Sequence, residues 1–245
     1  MPLLPFDLLK TGASELGIEL TDDQLARFDA FAAMLVEANR KFNLTRITEP
    51  EEIAVSHLLD SLVCLWSQEV PRGAGVIDVG SGAGFPGVPI KIVRPDITLT
   101  LLDSTLKKVR FLKQAVETLG LEEVEAVHAR AEDLGRDKNH REQYDVAYAR
   151  ALADLPVIAE LCLPLVRAGG RVVASKGARV DDEIESAKPI IGELGGVVEK
   201  VVRTHIPGTG IARAIPVILK TRRTPAGYPR LFSRIKRKDR AGGQR

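Results

Sequence analysis

Residues 76–87 read Val-Ile-Asp-Val-Gly-Ser-Gly-Ala-Gly-Phe-Pro-Gly, a short apolar run that breaks into a turn dense in glycine. The run from Gly75 to Val79 predicts a buried strand. The glycines behind it let backbone approach a ligand with no Cβ in the way, as happens at the carboxyl end of a strand in an open α/β sheet. The dinucleotide spacing G-x-G-x-x-G is not met, because the sixth position counted from Gly80 is Phe85. Counted from Gly82, glycines return at Gly84 and Gly87, but Pro86 then sits inside the turn. The Gly-Lys-Ser/Thr ending of a triphosphate cradle is also missing. Asp78, inside the motif, would repel a pyrophosphate and suits a ligand that carries a cation or an amine. S-adenosylmethionine carries both.

Downstream of Gly75 the pattern alternates between strand and helix. Strands are expected over 75–80, 97–102, 124–128, 144–149, 170–175, 197–203 and 212–220, with helices from Leu106 to Leu119 and from Asp154 to Val166. Such alternation implies parallel pairing with helices on both faces. Pro164 should disturb or kink the end of its helix. The join from Thr204 to Ile211 is too short for a packed crossover helix, so the last two strands should form an antiparallel edge pair. That ending suits a methyltransferase sheet better than a dehydrogenase.

The first seventy residues read as helical. Thr21-Asp22-Asp23-Gln24 has the form of a capping box, and Leu25, Phe28, Ala32 and Leu35 follow at helical steps. A second helix is expected after Thr48, carrying Ile53, Leu58, Leu62 and Leu65 towards a core. Pro71-Arg72-Gly73 marks the boundary. The organisation expected is a helical N-terminal extension over 1–70, an α/β domain over 71–220 and a basic tail over 221–245.

Charge is distributed unevenly. Residues 220–245 hold ten Lys or Arg against the single acid Asp239, so a net charge of +2 for the whole chain leaves −7 on the first 219 residues. A basic end on an acidic body points to a polyanionic partner, and Tyr228 and Phe232 add rings for stacking on bases. By this reading, deletion after Lys220 weakens RNA binding more than cofactor binding, and the fold can survive it because the strand over 212–220 precedes the cut. Cys64 and Cys162 lie in apolar segments without metal spacing, as in a reducing, cytoplasmic setting. Asp7 interrupts the first apolar run, no basic leader precedes it, and no stretch reaches membrane-spanning length. The four histidines have no ligand spacing, so no metal is expected.

Chemistry should gather at four strand ends. Asp78 and the Gly80–Phe85 turn form the first. Asp103, 23 residues after Gly80, is placed to hold a ribose by its two hydroxyls, which suits NAD and S-adenosylmethionine equally. Asp103 or Ser104 could instead cap a helix. Ala131 and Glu132 can meet an adenine edge, and the neighbouring Arg130 faces either a polyanion or solvent. Arg150 ends a buried strand, where its guanidinium needs a ligand or an acid as partner. Lys176 adds a cation at the same edge. No Ser–His–acid set or nucleophile elbow is present, and neither is the cysteine pair of pyrimidine carbon methylation. Reaction at an already nucleophilic atom fits this inventory.

Together these residues resemble a bacterial family, the small-subunit rRNA (guanine-N7)-methyltransferases of the glucose-inhibited division protein B type. The matching pieces are Phe42-Asn43-Leu44-Thr45, His57 with Asp60-Ser61-Leu62, Ile77 through Gly87, Leu102-Asp103-Ser104, Lys107-Lys108, Phe111-Leu112, Arg130-Ala131-Glu132, Ala149-Arg150-Ala151, Pro164-Leu165, Lys176-Gly177 and Tyr228-Pro229-Arg230. The resemblance implies a class I, Rossmann-like seven-stranded methyltransferase sheet. It further implies methyl transfer from S-adenosylmethionine to a guanine N7 in the 530 loop of 16S rRNA, within a small subunit or its precursor. The resemblance would place the cofactor at Gly80, Phe85, Asp103, Ser104, Thr105, Ala131, Glu132 and Arg150. The turn itself assigns Asp78, Gly80 and Gly82 to the methionine end of the cofactor and Asp103 to its ribose, with Phe85, Ala131 and Glu132 shaping the adenosine pocket. Arg150 would also be the catalytic residue, touching either substrate or the cofactor carboxylate. Arg130, Lys176, Arg230, Arg234, Lys236 and Arg237 would hold RNA phosphates. The family ending Tyr-Pro-Arg-x-x-Gly-x-Pro is not kept, since Arg230 runs into Leu231-Phe232-Ser233-Arg234. Three other readings remain open. They are a same-fold enzyme acting on another RNA base or a small molecule, a nicotinamide oxidoreductase, and an RNA-binding protein without turnover.

Overall fold

The computed structural model describes residues 1–235. Seven strands form one sheet: β1 (Gly75–Val79), β2 (Thr98–Asp103), β3 (Val124–His128), β4 (Tyr144–Arg150), β5 (Val166–Gly177), β6 (Gly196–His205) and β7 (Ala212–Lys220). Their order is β3-β2-β1-β4-β5-β7-β6, with β1 to β5 parallel and β7 antiparallel to both β5 and β6. The strand order reverses between β1 and β4, so a ligand belongs beyond their carboxyl ends. The expected antiparallel pair is present, with β7 on its inner side.

Helices cover both faces. The N-terminal part contributes α1 (Phe6–Glu15), α2 (Asp22–Phe42), α3 (Pro50–Ile53), a π turn (Ala54–Leu59) and α4 (Asp60–Trp66). The capping box closes as read: Thr21 Oγ1 accepts from Gln24 N–H, and the Gln24 side chain accepts from Thr21 N–H. Leu25, Phe28, Ala32 and Leu35 are all buried. The expected second helix is present from Pro50, but its middle is widened into the π turn. With α5 (Gly87–Val93) and α6 (Leu106–Thr118), this layer shares one core with Val76, Leu99, Leu101 and Tyr148 on the sheet. The opposite face packs Ile77, Val79, Ala147 and Ala149 against α8 (Leu155–Cys162) and α9 (Asp181–Glu193), while the short α7 (Ala131–Leu134) follows β3. Helix α8 stops two residues before Pro164, and β5 starts earlier than expected, at Val166, across a register shift from β4.

Strand parity decides what each face receives. Successive side chains point to opposite sides, so Asp78 on β1 and Arg150 on β4 share the face of Val76 and Tyr148, towards the N-terminal helices.

The C-terminal segment folds back onto the domain. Arg141 donates from Nη1 to Tyr228 O and from Nη2 to the carbonyls of Thr224 and Pro225. The buried Lys220 ammonium bonds Leu163 O and the Thr224 hydroxyl, and Arg230 pairs with the buried Glu160. Ile235 is also buried. These anchors satisfy charges that would otherwise be stranded in the interior, so the fold draws on residues after Lys220.

Candidate active site

Two openings flank the switch point. The first is a cleft of about 170 Å³ lined by Val79, Gly80, Leu102, Asp103, Ser104 and Glu132 among others. Asp103 is fixed from two loops: Oδ2 accepts Gly82 N–H of the turn after β1 at 3.0 Å, and Oδ1 accepts Thr105 N–H of its own loop at 2.8 Å. Lys108 Nζ stands 3.6 Å from Oδ2. Each carboxylate oxygen keeps acceptor capacity beyond these bonds. Glu132 is buried and takes Arg130 Nε at 3.0 Å. Gly80 has φ +76°, a conformation that favours glycine, and a Cβ there would lie 2.6 Å from Leu152 Cδ1, so the Leu152 side chain would also have to shift. An apolar floor of Val79, Leu102 and Leu161 beside two carboxylates suits a neutral purine and a ribose diol. A nucleoside therefore fits the first opening.

The second opening, about 490 Å³, is lined by His57, Asp60, Arg150, Lys176 and Arg213. Arg150 Nη1 donates to Ser56 O at 3.0 Å and to Asp60 Oδ2 at 2.9 Å, and Nη2 donates to His57 Nδ1 at 3.2 Å. A guanidinium only donates, so the His57 ring proton lies on Nε2 and is given to Thr45 Oγ1 at 2.9 Å. Burial, and after it the Arg150 charge, pulls His57 down to about 4, so the ring is neutral at pH 7. Its ring stacks on Phe85 with centroids 4.2 Å apart, and Arg150 lies over the same Phe85 ring at 5.3 Å. Arg213 closes the cluster, with Nε 2.7 Å from Asp60 Oδ1 and Nη2 3.3 Å from Oδ2. Among the described residues, these bonds use three of the five Arg150 N–H donors. Lys176 pairs with Glu183 at 2.7 Å and donates to Ala153 O at 3.0 Å. Two arginines against one aspartate leave this opening with a positive excess, suited to an anion.

The π turn makes the cluster possible. A wide turn at 54–59, followed directly by α4, brings the Ser56 carbonyl, His57 and Asp60 round one guanidinium. Interruptions of this kind recur at functional sites. Ala151, immediately after Arg150, takes φ +52°, a strained left-handed conformation for alanine that turns the chain from one opening to the other.

The expected site residues thus divide. Gly80, Asp103, Ser104, Ala131 and Glu132 line the first cleft. Gly82 and Thr105 act one step back, through the N–H groups that hold Asp103. Two side chains lie away from that cleft. Asp78, assigned to the methionine end of the cofactor, has no exposed surface: Oδ2 accepts Gly87 N–H, and Oδ1 has no partner among the described residues. Its job is to hold the turn from beneath. Phe85, expected to shape the adenosine pocket, stacks on His57 and meets Phe31 with the rings tilted by 50°, in the core on the other face of the sheet. Of the expected RNA contacts, Arg130 borders the first cleft and Lys176 the second, and Arg234 is exposed. Arg230 is already held by Glu160, with Nε at 2.7 Å, so its guanidinium serves the tail anchor rather than a phosphate. Lys236 and Arg237 lie outside the described residues. Sequence reasoning gave no role to Asp60 or Arg213. The available signal for Asp60 was an acid inside the apolar run Leu58-Leu59-Asp60-Ser61-Leu62.

Similar folds are found among solved methyltransferases. One from Aquifex aeolicus, described as SAM dependent, aligns with a TM-score of 0.53 at 17% identity over 72% of this chain and 97% of that one. TrmN from Thermus thermophilus aligns at 0.52 and 21%, over 65% and 48%. Among sequence relatives, proteins named ribosomal RNA small subunit methyltransferase G are far closer. The one from Pelotomaculum thermopropionicum is 45% identical over 91% of this chain and 94% of its own length. That from Alkaliphilus metalliredigens is 46% identical over 91% and 93%. Residues 24–211 match the family described as GidB, rRNA small subunit methyltransferase G, and the chain belongs to that family.

Proposed function

We propose that this chain transfers a methyl group from S-adenosylmethionine to N7 of a guanine in the 530 loop of 16S rRNA, as a cytoplasmic enzyme acting on a small subunit or its precursor. The observation that carries this reading is the pair of unlike openings whose linings meet at Ala151 and Leu152, one with an apolar floor beside two carboxylates and one cationic. When bound, S-adenosylmethionine supplies an activated methyl on a sulfonium. Asp103 would hold the ribose, Ala131 and Glu132 the adenine edge, and Gly80 the backbone approach.

Guanine N7 has a free lone pair and no proton, so no general base is required. The second opening is consistent with that: Asp60 is committed to two arginines, and His57 Nδ1 is committed to Arg150. Alignment is the main task left to the protein. Arg150 and Arg213 would fix the RNA backbone or the purine edge, with Lys176 and Arg130 further out on phosphates. Cofactor carboxylate is the competing partner for Arg150. Transfer of labelled methyl from S-adenosylmethionine to 30S particles lacking the modification, followed by base mapping, tests the reading. Label on any other atom, or none on RNA, overturns it.

A further inference from the structure

The outer wall of the first cleft comes from an unexpected source. Phe232 lines it, although this residue lies 129 positions beyond Asp103 and follows the point where the chain leaves the family's usual ending. The ring is held in place from both sides. Arg230 is clamped to Glu160 before it, and Ile235 is buried after it, closing a helical turn over 232–235. The Arg130 guanidinium lies over the ring at 4.4 Å, and Arg130 is bonded in turn to Glu132 on the cleft wall. A purine is flat and needs two apolar faces. Leu102 and Leu161 supply aliphatic surface on the sheet side, and Phe232 is an aromatic ring bordering the same space.

We propose that Phe232 is a cofactor-binding residue, the surface on which the adenine stacks, so that binding of the cofactor and docking of the basic C-terminal segment stabilise each other. This rests on the reading of the first cleft as the adenosine site. Anchoring through Arg141, Glu160 and Lys220 then has a purpose beyond stability: it sets the height of the ring above the cleft floor. Coupling of this kind is reciprocal. Cofactor should hold the turn at 232–235 in place, and an ordered turn should in exchange raise cofactor affinity.

Calorimetry on the full chain, with S-adenosylhomocysteine and with adenosine as probes, tests this. Phe232→Ala should weaken both by a similar factor, roughly tenfold or more, as the loss of a base–aromatic stack does. Phe232→Tyr should stay within about twofold of the parent, and Phe232→Leu, which keeps bulk without the ring, should fall between. Trypsin cleavage after the exposed Arg234 should slow when S-adenosylhomocysteine is bound to the parent protein, and the slowing should vanish in Phe232→Ala. Unchanged or tighter binding by folded Phe232→Ala overturns the proposal, tighter binding marking the ring as a plug. Asp103→Ala separates the two levels. If it binds S-adenosylhomocysteine like the parent, the cleft is not the adenosine site and the role of Phe232 falls with it. If Asp103→Ala loses binding while Phe232→Ala keeps it, only the stacking role fails.

Discussion

Asp60→Asn is the most informative single change, because it keeps shape and removes one charge from the centre of the second opening. Asp60 is 4% exposed and lies between Arg150 and Arg213, at 13% and 21%. Removing one partner from a fully buried ion pair costs about 3–5 kcal/mol, because the other charge stays behind unpaired. Here both arginines border an open cavity of about 490 Å³, where water can reach them. The cost should therefore sit at or below the low end, about 2–3 kcal/mol. For a chain of this size that is a fall of roughly 4–12 °C in melting temperature.

Activity should suffer more than stability. The amide that replaces the carboxylate can accept through one oxygen only and turns its NH2 towards the donors of the other arginine, so Arg150 and Arg213 can no longer both be held and repel one another uncompensated. A displacement of an ångström at an aligned site costs on the order of a hundredfold in rate. Single-turnover methyl transfer to unmodified 30S particles should drop by about that factor. Binding of S-adenosylhomocysteine in the other cleft should change little, and calorimetry checks this. Arg213→Gln, combined with Asp60→Asn in a double-mutant cycle, should show a coupling above about 1 kcal/mol. Parental melting temperature together with parental turnover in Asp60→Asn would refute the assignment of the charge cluster to function.

Gly80→Ala should lose most S-adenosylhomocysteine affinity in titrations, because its Cβ would lie 2.6 Å from Leu152 at a φ of +76°. Truncation after Lys220 should yield aggregated or unfolded protein, since Glu160 loses Arg230 and Lys220 loses Thr224. Truncation after Ile235 should fold normally, weaken RNA binding, and flatten its dependence on salt by about 0.7–0.9 in log–log slope per lost phosphate contact. The two buried titrating groups pull in opposite directions. His57, lowered to about 4, contributes stability above pH 6.5 that is lost as pH falls towards 4. Asp78, raised by burial to about 7, favours a protonated folded state, so stability falls as pH rises from 4 to 7. Urea denaturation of Asp78→Asn minus that of the parent should therefore grow by up to roughly 4 kcal/mol between pH 4 and pH 8. A flat difference would mean that the Asp78 carboxylate is not buried as described.

The fold was legible because it is written in short-range signals. The central strands β1, β2 and β4 are mainly apolar runs, and the eight-residue join from Thr204 to Ile211 excludes a crossover. The first cleft was legible for the same reason: Gly80 and Asp103 stand directly at strand ends, and Glu132 lies four residues beyond β3, in α7. The second opening was only half legible. Arg150 announced itself as a cation ending a buried strand, but its partner Asp60 lies 90 residues earlier and Arg213 is 153 residues from Asp60. Nothing local identifies such a pair. The π turn that delivers Asp60 gives no composition signal either, since its residues Ala54-Val55-Ser56-His57-Leu58-Leu59 read as an ordinary helix.

Parity explains why Asp78 and Phe85 lie away from the first cleft and fixes the direction of the remaining chemistry. Asp78 was read from its neighbours in the glycine motif, yet it is an even step from Val76, so it shares that residue's face and lies beneath the turn among apolar neighbours. Phe85 follows the turn onto that same face and reaches Phe31 and His57 there. Both therefore brace the turn from the side of the N-terminal helices, while the lining of the first cleft draws on Val79, Leu102 and Leu161 from the other core. The same count puts Arg150 with Tyr148, among the N-terminal helices, where α4 supplies its acid. A methyltransferase sheet alone would leave that arginine unpaired at its rim. The helical extension is thus what makes a buried, pre-aimed guanidinium affordable, and its removal should abolish the second opening even in a sheet that still folds.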